Sequence, residues 1–129
     1  MSATTLELGK KTFAKTFGSE AEGFIQTVNG MAPGLGDFIV EAEFGNAYNR
    51  PGLDLKTREL VILASCATLG STGLGAVGMH IPAALAAGAT REEIVEVFVQ
   101  LSFAAGMPTA LAALEAAKTA FDKLDGKAA

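Results

Sequence analysis

The chain is poor in the residues that most often announce a function. Its 129 residues include one cysteine, one histidine, one tyrosine and no tryptophan. A single cysteine, Cys66, excludes an internal disulfide framework and a Cys-rich zinc site. A single histidine, His80, leaves no second imidazole for a metal and gives no basis for a Ser-His-Asp order. Positive charge is also sparse. Ten Lys and Arg stand against fourteen Asp and Glu, the net charge is −4, and no basic cluster goes beyond Lys10-Lys11. That balance excludes a nucleic-acid footprint. The glycines between 70 and 78 lack GxGxxG and a P-loop lysine, so no phosphate cradle is expected. The start carries Glu7 and no apolar h-region, which reads as no signal peptide and a cytoplasmic chain.

What is present is apolar. Half of the residues are hydrophobic, with mean hydropathy +0.35. The length fits one domain, residues 1–129, with a real core. Leu60 to Thr90 holds no Asp, Glu, Lys or Arg, longer than a membrane span needs. Gly70, Ser71, Thr72, Gly73, Gly75, Gly78 and Pro82 interrupt it, so the reading is two buried helices with a break near Gly70 to Gly73, and no membrane partner.

The pattern is all-α, with six or seven helices and no alternating strand runs. A first helix is expected from about Thr5 to Phe17, ended by Gly18. Ser19, with Glu22 three residues on, reads as the cap of a second. Asn29-Gly30 and Pro33-Gly34 read as breakers. A third helix from about Leu35 to Tyr48 is expected to bury Phe38, Ile39, Ala42 and Phe44. Asp54 caps a fourth, reaching Leu69 and nearly apolar after Glu59, hence central. A fifth lies between about Gly73 and Ala87. Thr90 and Glu93 form a capping box for a sixth, with Ile94, Val97, Phe98 and Leu101 inward. Gly106 ends it, Pro108 opens a seventh to about Leu124, and the tail from Asp125 to Ala129 reads as frayed. So much apolar surface on short, Ala- and Gly-rich helices points to a homo-oligomer.

Few side chains here suit chemistry. His80 suits proton transfer near neutral pH, against the blander reading of a core imidazole bonded to a carbonyl. Glu59 shares a helix face with Leu55, Ile62, Leu63 and Cys66. It is either a desolvated functional carboxylate or a first-turn carboxylate paired with Lys56 or Arg58. Cys66 reads as a small core hydrophobe unless a base or cation activates it. Arg50 and Arg58 are candidates for gripping an anionic substrate, with salt-bridge roles as the plainer alternative. Arg91 reads as solvated. No metal or cofactor is called for, which leaves cofactor-free acid–base chemistry.

The run Tyr48-Asn-Arg-Pro-Gly-Leu-Asp-Leu-Lys-Thr-Arg-Glu-Leu60 resembles the carboxymuconolactone decarboxylase family. So do Gly88-Ala-Thr-Arg-Glu-Glu-Ile-Val-Glu-Val97 and Gly106-Met-Pro-Thr-Ala-Leu-Ala-Ala-Leu114, and His80 stands where that family has its histidine. The resemblance runs from about Pro33 to Phe121. It implies the helical fold shared with alkylhydroperoxidase D-type proteins and a ring-like homo-oligomer, a trimer or hexamer. The peroxidase branch has Cys-x-x-Cys before its histidine and a glutamate upstream. Glu59 and His80 match, but the cysteine positions read Gly73 and Ala76, so a dithiol peroxidase is chemically absent. The decarboxylase branch often has arginine beside the histidine and a tyrosine in the sixth helix. Those places read Gly78, Pro82 and Ala104, which implies a reshaped, more apolar pocket.

The expectation is therefore a cofactor-independent decarboxylase acting on 4-carboxymuconolactone or a related small lactone or carboxylic acid. His80 would be its acid, Glu59 its positioning group, and Arg50, Arg58 and Cys66 would border the substrate. The rivals are an isomerase or lactone hydrolase on a less charged substrate, a non-enzymatic oligomeric binding protein, and a residual thiol peroxidase using Cys66.

Overall fold

A computed structural model describes residues 4–127. No strand occurs among the described residues, and the chain is helical nearly throughout. It divides into two compact units at Leu53/Asp54.

The first unit begins with α1 (Thr5–Phe17). Thr4 Oγ1 accepts from the Glu7 amide at 3.1 Å, and Glu7 Oε2 accepts from the Thr4 amide at 2.9 Å. This reciprocal cap satisfies two of the amides that a helix start leaves unbonded. Gly18, at φ 72°, closes the helix in the left-handed region. Helix α2 (Glu22–Met31) starts after Ala21, which is buried and gives no side-chain cap. Ser19 therefore lies outside the helix start, and burial of Ala21 rather than a hydroxyl sets the entry. Asn29-Gly30 does not break α2 either. Asn29 instead reaches forward, accepting from the Gly36 amide at 2.7 Å and donating to Asp37 at 2.9 Å.

After α3 (Leu35–Ile39) the chain widens into a π-helical stretch, Val40–Asn46, and tightens into a 3-10 turn, Ala47–Asn49. The expected third helix is thus continuous in path but not α throughout. The wider turn brings Val40, Phe44 and Tyr48, four residues apart, to the interior. Phe38 is left 57% exposed, and Ile39 and Ala42 only half-buried. Phe13, Phe17, Phe24, Phe44 and Tyr48 form one aromatic cluster, with Phe13–Phe44 centroids 5.1 Å apart and Phe44–Tyr48 4.6 Å apart. Helix α1 packs on the π-helical stretch so closely that a Cβ at Gly9 would collide with the Val40 carbonyl oxygen.

The second unit contains α4 (Leu55–Thr68), a 3-10 turn (Gly70–Gly73), α5 (Leu74–Ala86), α6 (Arg91–Ala104) and α7 (Met107–Leu124). Asp54 Oδ1 accepts from the Thr57 amide at 2.7 Å and fixes where α4 begins. As its apolar pattern predicts, α4 packs against α5, α6 and α7. Its inward positions are Glu59, Leu63 and Ala67, joined by Val77, Ile81 and Ala84 from α5, Ile94, Phe98 and Leu101 from α6, and Ala110, Ala113 and Ala117 from α7. Small residues on α7 let it sit close to its neighbours. The Thr90–Glu93 capping box is present, at 3.0 and 2.9 Å. Helix α5 continues through Pro82.

Two expectations at the far end change. Arg91 forms a two-bond pair with Asp125, at 2.7 and 2.9 Å, and its guanidinium lies 5.0 Å from the Phe121 ring centroid. Arg91 is therefore engaged, and Asp125, the first residue of the expected loose tail, is tied to the start of α6. Residues 128 and 129 of that tail lie outside the described residues. Among the described residues no helix is long and apolar enough to cross a membrane.

Candidate active site

Glu59 lies in the second turn of α4, where the Asp54 cap and the spacing 59, 63, 67 turn it inward. It is fully buried. A carboxylate removed from water is costly unless bonded, so its partner decides its meaning. That partner is His80 on α5: Nδ1 lies 2.8 Å from Glu59 Oε2. Of the two readings the sequence left open, the same-turn ion pair loses one of its cations. Lys56 instead reaches α6, where its Nζ lies 2.8 Å from Glu93 Oε2. The imidazole, for which the sequence left a core role bonded to a carbonyl open, is bonded through Nδ1 to a carboxylate.

The geometry has a chemical consequence. With Glu59 ionised, the carboxylate only accepts, and the hydrogen between the two groups belongs to Nδ1. In the neutral ring that leaves the lone pair on Nε2, and in the charged ring Nε2 carries the second proton. The ring is 7% exposed and Glu59 not at all. Any approach to the pair from outside is by way of the imidazole, since the carboxylate has no exposed surface.

The other candidate residues are dispersed. Arg58 is half-buried beside Glu59 on α4, with its Nε buried. Cys66, a free thiol, is half-buried two turns along the same helix. Arg50 is exposed, after the 3-10 turn Ala47–Asn49, and belongs to the first unit. The structure joins His80 to Glu59, and it places Arg58 and Cys66 on the helix that carries Glu59. Among the described residues, no three His, Cys, Asp or Glu side chains form a group able to hold a metal.

Gly73 adds a negative result of its own. A Cβ there would collide with the backbone carbonyl oxygen of Cys66. The first of the two dithiol positions is closed to any side chain unless the turn moves.

Gly78 and Pro82 do not sit beside the histidine. With Leu74 they form the i, i+4, i+8 edge of α5, roughly 160° around the helix from His80. They line a groove of about 860 Å³ between α5 and α7, bordered on α7 by Ala112, Ala116 and Ala120. The expected reshaping of the His80 surroundings by these two residues is therefore corrected: on this chain they shape a different surface. The groove escaped sequence reading, although the spacing 74, 78, 82 against 77, 81, 84 carries the signal. A second groove, about 530 Å³, lies between α4 and α6. Its floor includes Leu60, Ala64 and Val97, and its rim includes Glu92, Glu96 and Gln100.

The sequence model of the carboxymuconolactone decarboxylase family matches residues 33–119, which include Glu59 and His80. The chain is 34% identical over 113 residues to the uncharacterized 15.0 kDa protein in the nqo9-nqo10 intergenic region of Paracoccus denitrificans, covering 87% of this chain and 84% of that one. It is 31% identical over 100 residues to 4-carboxymuconolactone decarboxylase of Acinetobacter baylyi, covering 78% and 73%. With most of its length matched, and the glutamate–histidine pair within the match, the chain belongs to the carboxymuconolactone decarboxylase family.

Proposed function

We propose that this protein is a cofactor-independent lyase that decarboxylates 4-carboxymuconolactone or a closely related small lactone carboxylate. The observation that carries the reading is the buried 2.8 Å contact between Glu59 and His80. Family membership and the decarboxylase relative supply the reaction class.

In such a substrate the departing carboxylate stands on a carbon linked through a double bond to the lactone carbonyl. When the bond to that carboxylate breaks, CO2 leaves and the electron pair moves through the double bond onto the carbonyl oxygen. The substrate is its own electron sink. The protein must desolvate the carboxylate and then deliver one proton to carbon, which restores the carbonyl. His80 is the acid, acting from Nε2 because Glu59 holds Nδ1. Glu59 is a positioning residue. It keeps the ring in one tautomer and one orientation, and it stabilises the charged ring before the proton leaves. Arg58, on the helix that carries Glu59, is the side chain assigned to a spectator carboxylate, where a planar two-bond grip suits the group. Cys66 is assigned to the pocket wall rather than to bond making. The protein works as a homo-oligomer, a trimer or hexamer, since the units expose Phe38, Phe103, Leu111 and Leu124.

Turnover of 4-carboxymuconolactone, followed as substrate loss and CO2 release, tests this directly. Wild type should turn over, and His80→Ala should lower kcat by roughly 100-fold or more. Full turnover in the variant would remove His80 from the mechanism. No turnover in the wild type would move the substrate to less charged lactones.

A further inference from the structure

The groove between α5 and α7 carries a charge pattern that is complementary to itself in an antiparallel pair. On the α7 side its wall presents Ala112, Glu115, Ala116, Thr119, Ala120 and Lys123. The positions 112, 116, 119 and 123 are spaced four, three and four apart, the seam spacing of paired helices. The alanines, facing Gly78 across the groove, let a further helix approach closely.

Glu115 and Lys123 sit eight residues apart on this seam, about 12 Å along the axis, too far to pair with each other. Neither makes an ion pair among the described residues. The pair that α7 does make within itself, Lys118 with Asp122 at 2.8 Å, lies off the seam.

We infer that this groove is a two-fold interface in which α7 of one copy packs antiparallel against α7 of a second, centred on Thr119. The register follows from the charges. Antiparallel pairing about Thr119 sets Glu115 opposite the partner's Lys123 and Lys123 opposite the partner's Glu115. A parallel arrangement sets like charge against like charge and is disfavoured. Both contacts come from one surface patch, as a two-fold interface requires. Burial of Leu74, Pro82 and Leu124 and of the alanines supplies the affinity, while the rim charges select orientation. The inference rests on the hexameric form of the homo-oligomeric reading above, since a trimer has no two-fold axis, and is independent of the lyase chemistry.

Sedimentation equilibrium on the full chain, with circular dichroism to verify folding, tests it. Lys123→Glu replaces two attractions by two repulsions and should weaken association roughly ten- to a hundredfold. Glu115→Lys should act likewise. The charge-swapped variant carrying both substitutions should recover association to within a few fold of wild type. A monomeric wild type would overturn both this interface and the oligomeric reading. An oligomer indifferent to Lys123→Glu, or not restored by the swap, would overturn this interface alone.

Discussion

Glu59 and His80 are 21 positions apart in sequence and 2.8 Å apart in space, bridging α4 and α5 at full burial of the carboxylate. With the carboxylate ionised the contact favours the Nδ1–H tautomer, and a substitution that keeps shape but changes hydrogen bonding tests this. In Glu59→Gln the amide can donate to Nδ1 and move the hydrogen of the neutral ring to Nε2. We expect kcat to fall roughly 100-fold or more while KM changes little. Nitrogen NMR of the imidazole should show Nδ1 protonated in the wild type and Nε2 protonated in the variant. An unchanged tautomer with unchanged turnover would reduce Glu59 to packing.

Gly73 has no room for a side chain because the Cys66 carbonyl oxygen occupies the place of its Cβ. Gly73→Ala should therefore cost about 1–3 kcal/mol in urea unfolding, as overpacking does elsewhere. Gly75, with open space around its Cβ position, offers the contrast: Gly75→Ala lies within α5 and should be neutral or slightly stabilising.

Asn49 donates through Nδ2 to the carbonyls of Phe44 and Gly45 and to Thr12 Oγ1, at 2.8, 3.1 and 3.1 Å. It ties the end of the π-helical stretch to α1. Asn49→Asp would turn a donor into an acceptor facing two carbonyl oxygens, with only the Thr12 hydroxyl able to donate in return. Loss of about 1–3 kcal/mol is expected at pH 7, partly regained once the new carboxyl is protonated. Asn49→Ala, which only deletes the bonds, should cost less.

Acid should loosen the fold through three carboxylates. The Thr57 hydroxyl and amide hold Asp54 below the usual carboxylate range, Lys56 and the Thr90 amide do so for Glu93, and Arg91 does so for Asp125. Each is lower in the folded chain than in the unfolded one. Its contribution is therefore complete above the unfolded value and disappears as pH falls through the folded one. Stability to urea should be level from pH 7 to about 5 and decline below about pH 4.5. Asp125→Asn should flatten that decline, since the residue no longer titrates.

The legibility of the sequence follows the range of the interactions. Asp54, Thr90 with Glu93, Gly18 and Gly106 act within four residues, and the helix ends they announce are found in place. Ser19 failed although it has the same local motif, because burying Ala21 moved the start of α2. Phe38 was placed inside by an α-helical period, and the π-helical stretch after Ile39 altered the phase. Glu59 and His80 were both visible as anomalies. Their meeting was not, since it depends on how α4 crosses α5, and that angle is set by the packing of Leu63, Val77 and Ile81. The groove was missed for the same reason, as it exists only where two helices lie side by side.

Glu93 uses each of its oxygens for a different helix start. Oε1 accepts from the Thr90 amide that opens α6, and Oε2 holds Lys56 in the first turn of α4. One side chain thus fastens two ends that are far apart in sequence. Fraying at either place releases the same carboxylate, so the amides of both first turns should exchange with solvent as one cooperative unit.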